Sequence, residues 1–139
     1  FDFTEPCAHH TELRKRFFDL RETPPTTPNY QVLAMLLTGY PSAHQVYEVY
    51  EKNHIDLSRL QVLCLPESQS HDQALLKVRA QNPLSEHPDG MSGGAAFVIQ
   101  LQDGHPKAYF AGIIVRGGKD SFHILKAGFV TAFLDAVFN

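Results

Sequence analysis

The chain has 139 residues, enough for one domain or for one domain with part of a second, and 43% of them are hydrophobic, which suffices for a buried core. The formal net charge is −3 with no basic block, which excludes a typical nucleic-acid-binding surface. No apolar run approaches the roughly 18 residues of a membrane span, so neither nucleic acid nor a membrane is expected as a partner. Two cysteines give no disulfide framework, which favours the reducing cytoplasm without deciding the localisation.

Residues 23–28 divide the chain. They read Thr-Pro-Pro-Thr-Thr-Pro, and each proline removes a backbone donor and fixes φ, so neither a helix nor a central strand fits. We therefore expect an extended connector here, between a short leading part and a longer part that follows. Because the chain begins with Phe1, we also expect a processed product or a fragment of a longer protein.

After the connector the pattern becomes β, with short runs of β-forming residues separated by turn residues at intervals of roughly 8–12 residues. The predicted strands cover residues 30–37, 46–50, 60–65, 74–80, 95–101, 109–115 and 122–125. Apolar residues recur at helical spacing over 127–138, which predicts an amphipathic C-terminal helix. This order indicates an all-β fold, a small antiparallel barrel or sandwich with one terminal helix.

The segment Asp89-Gly-Met-Ser-Gly-Gly94 is the most informative stretch of the sequence. Its glycines have no Cβ, so the backbone can take positive φ and a substrate can approach closely. The amides of Gly90 and Ser92 could then point to one spot beside the Ser92 hydroxyl, as an oxyanion hole for acyl transfer requires. The alternative is a tight Gly-rich turn between two strands.

Two further segments complete a pattern with Gly90-Met-Ser-Gly-Gly94, namely Thr38-Gly39-Tyr40-Pro41 and, after a hairpin, Gly112-Ile-Ile-Val-Arg-Gly-Gly118. The three resemble the nucleophile loop, the opening of the second barrel and the substrate-binding strand of the trypsin/chymotrypsin-like serine proteases, in the branch found in many bacterial proteins. The resemblance implies an antiparallel Greek-key β-barrel of the chymotrypsin-like type with a short C-terminal α-helix. It covers only the second half of such a protease. Residues 1–29 would be the end of the first barrel and the inter-barrel connector, and residues 30–139 the second β-barrel with its helix.

The same resemblance assigns catalytic roles. Ser92 is the nucleophile, and the amides of Gly90 and Ser92 form the oxyanion hole. In the family's chain order an orienting aspartate precedes the serine by roughly 90 residues, which falls on Asp2. The histidine would lie roughly 45 residues further back, which assigns it to a missing first barrel or a second chain. His9 or His10 is the alternative base within this chain.

Substrate-binding residues follow from the family layout. The strand at Val115–Gly117 would pair with the substrate backbone as an added strand. Glu86, six residues before Ser92, falls at the base of the specificity pocket and would favour a basic substrate side chain, whereas Arg116 on the pocket wall would favour an acidic one. Met91 stands where digestive proteases carry an aspartate that pairs with a new N-terminus, so activation by that ion pair is not expected.

Three functions remain open at this point. The first is a serine endopeptidase that cleaves peptide or protein substrates without a cofactor, present as a fragment that lacks its triad histidine. The second is a catalytically inactive protease-like module for peptide binding or scaffolding, favoured because no convincing base stands in the chain. The third is a structural β-domain whose Gly-rich segment is only a turn. No two histidines have i, i+4 spacing in a helical pattern, so no metal site is expected. Half of a two-barrel fold would expose an apolar face, through which we expect association with a partner chain or a second copy.

Overall fold

The structure is a computed structural model that describes residues 4–15, 17–18, 20, 32–48, 54–67 and 70–138. The helices in this part of the chain are α1 (Thr4–His9), α2 (Thr11–Arg14) and α3 (Ala127–Phe138). The strands are β1 (Val32–Gly39), β2 (Gln45–Glu48), β3 (His54–Leu57), β4 (Leu60–Pro66), β5 (Leu75–Ala80), β6 (Ala95–Gln102), β7 (His105–Gly117) and β8 (Ser121–Lys126). A 3₁₀ turn at Ser42–His44 leads from β1 into β2.

Six of these strands form a closed barrel in the order β1, β4, β5, β8, β7, β6, and β6 returns to pair with β1. Every neighbouring pair is antiparallel. The other two strands, β2 and β3, form a separate two-stranded ribbon between β1 and β4 in sequence. The prediction of an antiparallel β-barrel with a C-terminal helix is confirmed, and closure of the sheet excludes the sandwich alternative.

The core fills the interior of the barrel. Successive side chains of a strand point to opposite faces, so Ala96 and Val98 on β6 are buried inside while Phe97 between them is half-buried on the outside. The other core residues are Met35, Leu37, Val62, Cys64, Val78, Ala80, Met91, Tyr109, Ile114, Phe122 and Ile124. Among the described residues of this core cluster, Met91 alone comes from a connection and not from a strand, so the connection that carries it is anchored in the barrel.

The C-terminal helix α3 has the bounds that the apolar spacing predicts, and it lies against β7 and β8. Val130 and Leu134 are half-buried there. Phe129 and Phe133, in contrast, are 52% and 65% exposed, so the apolar surface of the helix is only partly covered. Among the described residues no helix is long and apolar enough to cross a membrane.

The leading part of the chain begins with α1 and α2, which contact each other. It reaches the barrel at Phe18, whose ring lies 5.0 Å from that of Phe97 in an edge-to-face contact. The predicted connector at 23–28 lies outside the described residues, and the division between residues 1–29 and 30–139 stays a prediction.

Candidate functional site

Ser92 lies on the connection of residues 81–94 that crosses one end of the barrel between β5 and β6. Backbone hydrogen bonds hold this connection in place. The amide of Ser42 donates to the carbonyl of Asp89 over 2.6 Å, which ties the connection to the 3₁₀ turn after β1. The amide of Met91 donates to Pro88 over 3.1 Å, and that of Gly94 donates to Met91 over 3.0 Å. Two successive turns, over residues 88–91 and 91–94, therefore shape this segment, and Ser92 lies within the second.

Met91 anchors the connection to the core. Its side chain is 1% exposed, and a Cβ added at Gly39 would come within 3.1 Å of it. The close approach of Met91 to β1 therefore depends on glycine at position 39.

Gly93 and Gly94 join the connection to β7. The amide of Gly93 donates to the carbonyl of Ile114, and the amide of Ile114 donates to the carbonyl of Gly94, each over 2.8 Å. These bonds hold Ser92 beside Val115, the residue after Ile114 on β7. The Ser92 hydroxyl donates to the carbonyl oxygen of Val115 over 3.3 Å. The structure thus brings Ser92 and Val115, two of the predicted site residues, into direct contact.

The backbone at Gly90 has φ +92°, a region that favours glycine, and the surroundings exclude a side chain. An added Cβ would lie 2.7 Å from Ser42 Oγ and 3.0 Å from the carbonyl oxygen of Tyr40. Within the described residues, the amides of Gly90 and Ser92 donate to no other protein group. These are the two amides that are predicted from the sequence to form an oxyanion hole.

A concave pocket of about 420 Å³ lies beside these amides. Its walls are the end of β1 at Thr38–Tyr40 and the segment Gly90–Ala95. Ser92 and both of the free amides therefore line a space that a small group of a ligand can enter. The pocket is continuous with solvent because both Gly90 and Ser92 are exposed.

The segment Val115–Gly117 has one unpaired edge. The pairing of β6 with β7 ends at Ala95 and Ile113, whereas β7 continues to Gly117 with β8 as its partner strand. The register with β8 shifts between Ile114 and Arg116, so Val115 lies at an irregularity of the strand. A strand with an open edge is a template for an added peptide strand.

The two predicted specificity residues lie apart from the pocket at Ser92. Glu86 Oε2 lies 3.7 Å from His44 Nε2, and the Glu86 side chain is 59% exposed. Arg116 is exposed on β7, opposite His123 of β8. Burial lowers the pKa of His123, and the charge of Arg116 lowers it further. The structure therefore does not place the charge of Glu86 or of Arg116 in the pocket at Ser92, where it would contact a substrate side chain.

A base for Ser92 is not visible among the histidine side chains that the structure describes, because the Ser92 hydroxyl bonds to a backbone carbonyl. His9 ends α1 and His10 follows it, and both are exposed. Asp2 lies outside the described residues, so its assignment as the orienting aspartate stays a prediction.

One interacting pair of side chains in the same connection was not predicted from the sequence. His87 Nδ1 lies 2.8 Å from Asp89 Oδ1, and both side chains are more than half exposed. The spacing His-x-Asp directly before the Gly-rich segment was the available signal. The described part of the chain contains no cluster of three or more His, Cys, Asp or Glu side chains that could hold a metal ion.

Comparisons with models of protein families, with curated proteins and with solved structures find no match to this chain. A function therefore has to be argued from its own residues and their geometry.

Proposed function

We propose that this chain is the nucleophile-bearing second barrel of a trypsin-like serine endopeptidase, with Ser92 as the nucleophile. The observation that carries the proposal is the state of the amides around its hydroxyl. The amides of Gly93 and Gly94 are bonded within the protein, whereas those of Gly90 and Ser92 lie beside the pocket and donate to no group among the described residues. An oxyanion hole needs two such donors held in place before the reaction begins.

The strand order supports a barrel of the Greek-key, chymotrypsin-like type. In a Greek key the fourth strand returns by a long connection to lie beside the first, in the spatial order 4-1-2-3. The barrel strands β1, β4, β5 and β6 stand in this relation, since β6 follows the connection 81–94 and pairs with β1. Ser92 belongs to that connection.

The proposed chemistry is acyl transfer from a peptide bond. Ser92 Oγ attacks the scissile carbonyl carbon while a histidine takes its proton, and the amides of Gly90 and Ser92 bind the resulting oxyanion. The histidine returns the proton to the leaving amine, and a water molecule then releases the acyl group. We assign this histidine to a first barrel or a second chain and keep Asp2 as the residue that orients it.

The substrate backbone would lie along the open edge of Val115–Gly117. The carbonyl of Val115 accepts the Ser92 hydroxyl in the free structure, so a substrate N–H that bonds to this carbonyl releases the hydroxyl for attack. Binding and activation of the nucleophile are then coupled. Glu86 and Arg116 remain the candidates for side-chain specificity, with opposite preferences.

The partner that supplies the histidine would also cover exposed apolar surface. Phe129, Phe133 and Val137 lie at successive i, i+4 positions of α3 and are 52%, 65% and 57% exposed. Contiguous exposed apolar residues of this kind mark an interaction surface. We propose that α3 contributes to the contact with the first barrel or second chain.

A second candidate function has its own observation. The Ser92 hydroxyl bonds to the Val115 carbonyl and to no described histidine, an arrangement that also suits a catalytically inactive protease-like module. Such a module would still use the open edge of β7 to bind a peptide or to act as a scaffold. The two candidates differ only in whether Ser92 reacts.

Labelling with a fluorophosphonate probe separates them. The probe forms a covalent bond with a serine oxygen only when a base activates it. We expect the full-length parent polypeptide to be labelled and its Ser92→Ala variant to be unlabelled. Ser58→Ala, which removes another exposed hydroxyl in the turn between β3 and β4, is the matched control and should be labelled like the parent.

The outcomes are distinct. Labelling that disappears only in Ser92→Ala supports the endopeptidase. A folded, full-length polypeptide that is not labelled supports the inactive module. Labelling that persists in Ser92→Ala contradicts the assignment of the nucleophile.

A further inference from the structure

The end of the barrel away from Ser92 contains a second cavity, which the proposed protease chemistry does not use. Its volume is about 610 Å³, within the range of roughly 300–1,000 Å³ typical of small-molecule sites. Met35, Leu76, Val98, Gln100 and Phe110 line it, and Ala127 at the start of α3 closes one side. We call it the barrel-mouth cavity.

The barrel-mouth cavity lies at a distance from the connection of residues 81–94 that carries Ser92. β6 begins at Ala95 next to that connection and reaches the cavity at Val98, three residues later. At about 3.3 Å per residue the two positions are roughly 10 Å apart along the strand. The barrel-mouth cavity is therefore a separate site, and a ligand in it does not contact Ser92.

Gln100 is the chemical exception in the cavity. Ala96, Val98 and Gln100 are alternate residues of β6 whose side chains point into the barrel, and Gln100 is the last and the only polar one of the three. Its side chain is 6% exposed, and its Oε1 has no hydrogen-bond partner among the described residues. A buried acceptor without a donor costs free energy unless a ligand supplies one.

The rest of the lining defines what that ligand can be. None of the described residues that line the cavity is charged, so a charged ligand would lose its hydration without a counter-charge. An ordered water molecule needs two to four polar partners, and among the described lining residues only Gln100 has a polar side chain.

We propose that the barrel-mouth cavity binds a neutral, mainly apolar small molecule with one hydrogen-bond donor, which donates to Gln100 Oε1. Alcohols and phenols with a short hydrocarbon body belong to this class. The apolar body replaces water against Met35, Leu76 and Val98, and the donor satisfies the orphan oxygen.

The two methionines of the chain allow a direct test, since Met35 lines the barrel-mouth cavity and Met91, next to Ser92, lines the pocket at the other end of the barrel. Protein labelled with ¹³C at the methionine methyl groups is titrated with 4-butylphenol and, separately, with butylbenzene. We expect both compounds to shift the Met35 signal and to leave the Met91 signal unchanged. The phenol should bind roughly two- to tenfold more tightly, as one neutral hydrogen bond implies.

Two variants test whether Gln100 causes the tighter binding of the phenol. Gln100→Leu should remove the preference for the phenol while both compounds still bind. Gln61→Leu, an exposed position on β4, is the matched control and should keep it. If Gln100→Leu does not fold, the comparison of the two compounds on the unaltered chain still decides.

Three results would overturn the proposal. Equal affinities of the unaltered chain for phenol and hydrocarbon would remove the role of Gln100. A Met35 signal that neither compound shifts would mean that the cavity is closed or filled by the protein itself. A shift confined to Met91 would place the ligand at the other end of the barrel.

Discussion

The hydroxyl of Ser92 donates a hydrogen bond to the carbonyl oxygen of Val115 over 3.3 Å. This bond joins the connection of residues 81–94 to the open edge of β7, so the proposed nucleophile and the proposed substrate-binding strand meet at one carbonyl. Ser92 is exposed, and a water molecule can replace the bond when the hydroxyl is absent. The contact therefore belongs to the proposed site and adds little to the stability of the barrel.

The first prediction concerns this bond. Ser92→Ala should lower the free energy of unfolding by at most about 1 kcal/mol, because one exposed neutral hydrogen bond contributes no more than that. Urea unfolding of the two proteins, followed by circular dichroism, measures the difference. A loss above about 2 kcal/mol would mean that the hydroxyl supports the fold, and the loss of probe labelling in this variant would then have a structural explanation.

The second prediction concerns the backbone at Gly90. Gly90→Ala should destabilise the chain by roughly 1–3 kcal/mol, because alanine is strained at φ +92° and its Cβ would meet Ser42 Oγ at 2.7 Å. It should also weaken probe labelling of the parent polypeptide, because the free amide moves with the backbone. Gly118→Ala is the matched control, since nothing lies within 4 Å of an added Cβ there and its φ is not in the left-handed region. Equal unfolding free energies for the two variants would contradict the argument.

The elements that could be predicted from the sequence are those with a local pattern. The bounds of α3 follow from apolar residues at helical spacing, and β4 follows from a run of β-forming residues closed by Pro66. The strand β3 was not predicted, because its alternation of polar and apolar residues spans only four positions, and among the described strands it pairs with β2 alone. β7 is longer than predicted at both ends, since pairing with β6 and β8 extends it beyond its apolar run.

In the candidate site, too, only the features with a local sequence pattern could be predicted. Glycines around one serine in residues 89–94 predict where a nucleophile and its two amide donors would lie. The contact of Ser92 with Val115, 23 residues away, depends on the pairing of the connection with β7 and has no local signal. The unpartnered Oε1 of Gln100 also becomes visible only when the fold is known, whereas the contact of His87 with Asp89 had a local signal in its His-x-Asp spacing.

The third prediction uses the two cysteines as probes of the fold. Cys64 is fully buried on β4, and burial raises the pKa of its thiol to about 12, so almost no reactive thiolate forms near neutral pH. Cys7 is half-buried on α1. Iodoacetamide should therefore alkylate Cys7 and spare Cys64 in the native chain, and should alkylate both in guanidinium chloride. Peptide mapping by mass spectrometry measures this, and native alkylation of Cys64 as fast as that of Cys7 would contradict the buried position.

The fourth prediction concerns acid sensitivity. The carboxylate of Glu67 accepts a hydrogen bond from Arg79 and lies 3.2 Å from the ammonium of Lys77, and these contacts lower its pKa below the ordinary value of 4.5. The unfolded chain then binds more protons than the folded chain between the two pKa values. The stabilisation by Glu67 is therefore complete above about pH 4.5 and is lost as the pH falls through the folded-state pKa.

Glu67→Gln should reduce the unfolding free energy above pH 4.5 and flatten its decrease below that pH. Urea unfolding at a series of pH values measures both effects. Glu12→Gln, which removes a far more exposed ion pair with Lys15, is the control and should cost less than about 0.5 kcal/mol at neutral pH. An unchanged slope in Glu67→Gln would show that other groups determine the acid response.

The fifth prediction concerns the uncovered apolar surface of α3. Phe129 and Phe133 lie one helical turn apart and are 52% and 65% exposed, so burial against another surface removes apolar area from water. Without its proposed partner, the chain should therefore self-associate as its concentration rises. Phe133→Ser should shift the equilibrium to the monomer, whereas Tyr47→Ser, at a site 64% exposed on the β2–β3 ribbon, should not. Size-exclusion chromatography with light scattering measures the mass, and a monomer that persists at high concentration would count against α3 as an interaction surface.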